Sequence, residues 1–214
     1  MIESLENSIQ IAVLLICAGI SLGRAITQKS KAWTLLFFFY VSVMLGDFYW
    51  VIYLIFYQKN PTLSLVPDLS WLASYLFLYL MLNELYPRNQ TGKRSILPWL
   101  GVIFAVAMAI YFMTFGKILQ NILYAALEGL LLFSTIRTLT EWQGKQQKNV
   151  WFPWQILIFC LIEYGSWIAS CLWDAFSLTN PYYWFDFALT IRQSNCFTIK
   201  PFLKHIIYIP AISF

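Results

Sequence analysis

The sequence predicts an all-α fold: a polytopic integral membrane helix bundle of about seven transmembrane helices with the N-terminus outside. Three observations predict this class. Hydrophobic residues make up 60% of the 214 residues and charged residues only 11%, whereas a soluble domain carries about 25% charge. The apolar residues fall into runs of about 20, the length that crosses a bilayer. Basic residues are concentrated in alternate loops between these runs.

Six apolar segments have the length of a transmembrane helix, and a seventh begins near Pro181. Pro67, Pro153 and Pro181 lie at segment starts, where the fixed φ of proline suits the first helical turn. Gly19 and Gly23 have a GxxxG spacing, but such pairs are common by chance in apolar segments, so we expect no close helix contact there. The six predicted helices are residues 8–25, 33–57, 67–86, 95–115, 118–139 and 151–176.

The loops between the segments alternate in basic content. Nine basic residues lie in the loops after segments one, three and five, whereas two lie in the loops on the other side. By the positive-inside rule, this asymmetry puts the N-terminus outside and the three basic loops in the cytoplasm. The nine are Arg24, Lys29, Lys31, Arg88, Lys93, Arg94, Arg137, Lys145 and Lys148, and the two are Lys59 and Lys117.

The C-terminal segment is the least regular part of the pattern. The apolar run from Pro181 ends at Ile191, and a polar run begins at Arg192. Eleven residues cover about half of the hydrocarbon core. Either the seventh helix crosses with Arg192 facing a polar interior, which we prefer, or the tail lies on the membrane surface; an altered or truncated C-terminus would leave the same pattern. We assign residues 1–191 to one transmembrane domain and residues 192–214 to a C-terminal tail.

Three carboxyl side chains lie near the middle of predicted helices: Asp47, Glu128 and Glu163. A charged group at the bilayer centre costs free energy and normally faces the bundle interior, so each is a candidate site residue. No basic side chain lies at comparable depth in these helices, so we expect the carboxyls to be uncharged and to donate hydrogen bonds. Each acid could instead only link two helices through a hydrogen bond; for the three together we favour a shared cavity.

Aromatic side chains occur at helical spacing from these acids. In the sixth segment Trp167 and Asp174 follow Glu163 at i+4 and i+11, on one helix face. Carboxylates and aromatic faces both favour positive charge, so we predict a cavity for a small cationic or amphiphilic ligand. Its predicted lining is Asp47, Trp50, Tyr75, Tyr124, Glu128, Glu163, Trp167 and Asp174.

Several other kinds of site lack their residues. His205 is the single histidine and lies in the C-terminal tail, so a zinc hydrolase or a Ser-His-Asp triad lacks its base. The four cysteines form no CxxC pair, and we predict packing roles for them. Basic residues scattered over short loops do not form a nucleic-acid surface. We therefore expect no metal, no cofactor, no catalytic residue and no nucleic-acid partner; the lipid bilayer is the expected environment.

The run PDLSWLASYLFL from Pro67 to Leu78 resembles the third helix of the membrane regions that precede diguanylate cyclase or kinase domains in bacteria. The resemblance extends over segments two to four and implies a sensor-like module in the bacterial inner membrane. The 214 residues contain no output domain, so signalling would require a separate cytoplasmic partner. Leu45-Gly46-Asp47 is similar to the Gly-Asp of lysoplasmalogenase-like membrane hydrolases, but the histidine of that family is missing from the predicted helices.

The function that these features favour is a non-enzymatic sensor or ligand-binding module. The alternative is a proton-coupled transporter with Glu163 and Glu128 as proton carriers. An inverted repeat or an interrupted helix would favour transport, and neither is visible in the sequence. A membrane hydrolase that uses Asp47 is the least favoured of the three because the histidine base is missing.

Overall fold

The computed structural model describes residues 2–58, 65–87, 95–115, 118–142, 150–173 and 179–195. These residues form seven α-helices and no strand, which confirms the all-α class. Asp174, a predicted site residue, and the tail after residue 195 lie outside the described residues. The helices are α1 (Ile2–Gln28), α2 (Lys31–Tyr57), α3 (Leu65–Leu85), α4 (Pro98–Phe112), α5 (Ile118–Trp142), α6 (Trp151–Leu172) and α7 (Pro181–Asn195).

Five of the helices, α1, α2, α3, α5 and α6, are long and apolar enough to cross a bilayer. Their apolar parts have 21 to 27 residues, or about 31–40 Å at 1.5 Å per residue, against a hydrocarbon core of about 30 Å. These helices support a membrane location. α4 and α7 have 15 residues each, about 22 Å.

Six helices form a closed ring in the order α1, α2, α3, α5, α6 and α7, and α7 packs back against α1. α4 lies outside this ring and packs mainly against α5. Two small residues bring α4 and α5 together, since Gly101 faces Leu132 and Gly129 faces Ala105. The first and the last described helices therefore meet in space, and the ring encloses an interior that all six helices share.

The two ends of the ring are filled differently. At the end where α2 and α6 begin, large apolar side chains such as Trp33, Leu36, Leu82 and Ile156 are almost completely buried. At the opposite end, where α1, α3, α5 and α7 begin, buried polar side chains replace them. The packed end forms the core, and the polar end holds the candidate site.

The helix boundaries differ from the predicted ones at several ends, and α1 differs most, since it runs from Ile2 to Gln28 where residues 8–25 are predicted. α4 begins at Pro98 rather than at residue 95, because the Ser95 hydroxyl accepts a hydrogen bond from the Leu97 N–H (3.2 Å) in a local turn before the helix. α6 ends at Leu172 rather than at residue 176, and Trp173 is already extended. α7 continues to Asn195, past the predicted domain boundary at residue 191.

Candidate functional site

A cavity of about 360 Å³ lies inside the ring at its polar end. All six ring helices contribute to its lining, from Asn7 and Gln10 of α1 to Asn180 and Asp186 at the start of α7. Small-molecule sites in proteins typically measure about 300–1,000 Å³, so the cavity has the size of a small ligand pocket.

The cavity brings together six of the eight side chains predicted to line a site: Asp47, Trp50, Tyr75, Tyr124, Glu163 and Trp167. Glu128 does not line it. Asp174 lies outside the described residues. That these six side chains bind a ligand remains a prediction, and their common location in one cavity supports it.

Carboxyl groups from four helices meet at the same level of the cavity. Asp47 of α2, Glu163 of α6 and Asp186 of α7 line the cavity and interact electrostatically with one another. Glu6 of α1 interacts with Asp186 from behind. We call these four side chains the carboxyl layer. None of the described residues that line the cavity is lysine, arginine or histidine, so no basic side chain there forms an ion pair with these carboxyls.

One carboxyl oxygen of Asp47 accepts a hydrogen bond, and the other has no hydrogen-bond partner among the described residues. Its Oδ1 accepts a hydrogen bond from Trp71 Nε1 (3.1 Å), whereas Oδ2 is buried and has no hydrogen-bond partner among the described residues. The indole of Trp71 can lie this close because residue 46 is glycine: a Cβ there would be 2.5 Å from Trp71 Nε1. Asp47 therefore has a fixed orientation and a free acceptor.

Glu163 and Glu128 lie close together, but only Glu163 lines the cavity. The Glu163 carboxyl lines the cavity, and the Tyr75 hydroxyl lies beside it. Glu128 is completely buried behind it, within electrostatic range of Glu163. The Tyr164 hydroxyl lies beside Glu128, but neither carboxyl oxygen has a well-aligned hydrogen bond within the described part of the chain. The expectation of one cavity shared by all three mid-helix acids is thus met for Asp47 and Glu163 only, because the Glu128 side chain is enclosed by packing.

Aromatic rings form the wall opposite Asp47. Tyr124 meets Tyr75 edge-on at 6.0 Å and Trp167 edge-on at 4.6 Å between ring centroids. Edge-to-face pairs of this kind fix ring orientations and contribute about 0.5–1.5 kcal/mol beyond the area they bury. Trp50 and Trp71 pack together at 6.0 Å on the Asp47 side. A bound molecule would thus contact rigid aromatic surfaces on two sides.

Gln193 of α7 forms the floor of the cavity. Its backbone carbonyl accepts a hydrogen bond from the Tyr40 hydroxyl (2.7 Å), which fixes α7 against α2. Its side-chain Oε1 has no partner among the described residues, although Gln193 is only 3% exposed. Below it, Arg192 Nη1 donates to Gln155 Oε1 (2.9 Å) beside a space of about 10 Å³, room for one water molecule at most.

Sequence reasoning missed three of these side chains: Glu6, Asp186 and Gln193. The predicted acids all lie in long apolar segments, whereas Glu6 lies before the first segment and Asp186 lies in the short apolar run from Pro181. One signal was available, because Asp186 and Gln193 are seven residues apart and share a helix face. The ring closure that brings α1 to α7 has no signal in a single sequence.

Within the described ranges, no group of three or more histidine, cysteine, aspartate or glutamate side chains is arranged to hold a metal ion. Comparison of the chain with protein-family models, curated proteins and solved structures finds no match. The geometry of the cavity is therefore the feature from which a function can be inferred.

Proposed function

We propose that this protein is a membrane-embedded, non-enzymatic binding module for small organic cations, of the kind a sensor uses. One observation carries the proposal: the cavity is lined by three carboxyls and several tryptophans and tyrosines, and by no basic residue among those described. A cationic ligand would stabilise the ionised forms of Asp47, Glu163 and Asp186, which lie within electrostatic range of one another. The aromatic walls would contact its apolar part and add cation–π attraction of about 0.5–2 kcal/mol.

The location and orientation that we propose follow from the charge of the loops. We place all seven helices in one transmembrane domain of a bacterial inner membrane, with the N-terminus outside, because nine basic residues lie on one side and two on the other. In this orientation the cavity lies in the outer half of the bundle, and a ligand enters from outside. A separate cytoplasmic partner would read the occupied state at the packed end.

The proposal is tested with 2-phenylethylammonium as the probe, using calorimetry on the purified protein in lipid nanodiscs. We expect saturable binding, and we expect Glu163→Gln to weaken it at least tenfold, or about 1.4 kcal/mol. Glu84→Gln, which changes an exposed glutamate near the other end of α3, is the matched control and should bind as the wild type does. The neutral probe 2-phenylethanol should bind much more weakly. Equal binding of the neutral and the cationic probe would overturn the proposal.

Glu128 favours a second candidate, a proton-coupled transporter. A completely buried carboxyl beside Glu163, with no well-aligned hydrogen bond in the described part of the chain, could store a proton that moves to the cavity. In proteoliposomes, a transporter would accumulate labelled 2-phenylethylammonium under an imposed pH gradient, and Glu128→Gln would stop the accumulation. A binding module would bind the probe without gradient-driven uptake.

A further inference from the structure

We propose that the ligand is a protonated amine with a neutral hydrogen-bond donor at its far end. The ammonium group lies in the carboxyl layer, and the far donor binds Gln193 Oε1 at the floor. This inference rests on the proposed function and specifies the class of cation. It starts from two residues that line the cavity and each carry a buried oxygen with no donor among the described residues, Asp47 Oδ2 and Gln193 Oε1.

A buried acceptor without a donor destabilises the protein, so both atoms indicate groups that a ligand would supply. Asp47 is 4% exposed and Gln193 is 3% exposed, so bulk solvent reaches neither freely. Trp71 holds Asp47 Oδ1 and so fixes the carboxyl, and Tyr40 holds the backbone carbonyl that anchors Gln193 at the end of α7. Each of these two lining residues thus keeps one side-chain oxygen without a donor among the described residues.

The two acceptors lie at different depths. Asp186 and Gln193 are two helical turns apart on α7, which corresponds to about 10 Å along the axis. Asp47 belongs to the level of Asp186, since their carboxyls interact, and Tyr40, two turns before Asp47 on α2, contacts Gln193. One ammonium group cannot bind both acceptors at this separation. An elongated molecule with a donor at each end can.

The charge near the floor decides what the far donor is. Arg192 and Gln193 both line the small space below the cavity, where the Arg192 guanidinium donates to Gln155. A second ammonium group at Gln193 would lie close to this cation and be repelled, whereas a hydroxyl would not. Between the two levels, Val43 of α2 and Leu189 of α7 line the cavity together with the Tyr75 ring, and these surfaces suit an aromatic or flat apolar spacer. The geometry therefore favours an aryl amine with a hydroxyl, such as 4-(2-aminoethyl)phenol.

The test is a thermodynamic cycle with two probes that differ in one hydroxyl, 4-(2-aminoethyl)phenol and 2-phenylethylammonium. We expect the wild type to bind the phenol about five- to tenfold more tightly, the effect of one net hydrogen bond. Gln193→Leu should abolish this preference, and the ratio of the two affinities is the readout whatever the variant does to 2-phenylethylammonium binding itself. Glu84→Gln, at an exposed position away from the cavity, should retain the preference. The dication 1,4-bis(aminomethyl)benzene should bind more weakly than the phenol.

The outcomes separate this inference from the proposed function. If 2-phenylethylammonium does not bind, the proposed function fails. If it binds but the hydroxyl adds nothing in the wild type, or the preference survives in Gln193→Leu, then only a water molecule occupies the floor and this inference fails alone. Should Gln193→Leu not fold, Gln193→Glu keeps an acceptor oxygen and is compared with Gln193→Met, which lacks one. The preference for the phenol is expected in Gln193→Glu and not in Gln193→Met.

Discussion

Gly46 has no side chain, but it decides where Trp71 lies. The indole nitrogen occupies the volume that a Cβ at residue 46 would need, and from there it donates to Asp47. Gly19 and Gly23 have the spacing of a helix-dimer motif, yet no atom lies within 4 Å of where their Cβ atoms would be. Within the described chain a close helix contact therefore forms at Gly46, which belongs to no such motif, and not at Gly19 or Gly23.

Gly46→Ala is expected to destabilise the protein by about 1–3 kcal/mol, because the rigid indole must move and Asp47 loses its donor. The measurement is thermal unfolding in nanodiscs. Gly19→Ala is the control: with open space around it, alanine should leave stability unchanged or raise it by up to about 1 kcal/mol through helix propensity. Equal unfolding temperatures for Gly46→Ala and the wild type would contradict the close contact.

Single residues were predicted well where helical spacing alone placed them. Glu163 and Trp167 share a face of α6 because they are four residues apart, and both line the cavity. Glu128 shows the limit of this reasoning. Its spacing from Tyr124 is also correct, but Tyr124 lines the cavity and Glu128 does not, because the side chains of α6 close over it. Which member of a helix face is covered depends on the neighbouring helix, and a single sequence does not specify that helix.

α7 contributes more to the site than its 15 residues suggest. It adds Asp186 to the carboxyl layer and Gln193 to the floor. Its last turn is held by contacts to two other helices, from Tyr40 of α2 and to Gln155 of α6. These contacts give polar residues such as Arg192 partners inside the bundle. The helix therefore continues past the point where its apolar pattern ends.

Tyr40→Phe removes the hydroxyl and with it a buried hydrogen bond to this last turn, while the aromatic ring is retained. We expect a loss of about 1 kcal/mol in the local stability of the end of α7, equivalent to roughly fivefold faster amide exchange there. Hydrogen–deuterium exchange followed by mass spectrometry measures this. Tyr53→Phe, which changes a tyrosine stacked between Tyr49 and Tyr57, is the control and should not affect α7. Unchanged exchange in Tyr40→Phe would mean that the other contacts hold α7 without this one.

Element number and type were predictable because apolar runs of membrane length are a strong signal, and all seven predicted helices have counterparts in the structure. The ends of α4, α6 and α7 were predicted less well. Those ends depend on local side-chain hydrogen bonds such as that of Ser95, or on partners in other helices such as Gln155 for Arg192. Hydropathy does not contain that information.

The proposed orientation of the whole molecule can be measured with single cysteines. After Cys17, Cys160, Cys171 and Cys196 are replaced, a cysteine at position 59 or 117 should react with a membrane-impermeant maleimide in intact cells. A cysteine at position 93 or 145 should react only after lysis, because the basic loops are expected on the cytoplasmic side. The reverse labelling pattern would place the cavity in the inner half of the membrane and require entry from the cytoplasm.

The closed ring also constrains the order in which the site can be assembled. Glu6 and Asp186 are in contact, yet about 180 residues separate them in the chain. At about 5–20 residues per second, roughly 10 to 35 s of translation pass between the synthesis of the first and the last member of the carboxyl layer. During that time the seam that α7 will fill between α1 and α6 is open to lipid, with acidic side chains beside it. Nascent chains that pause before α7 emerges should therefore be the species most readily recognised by membrane quality-control proteases.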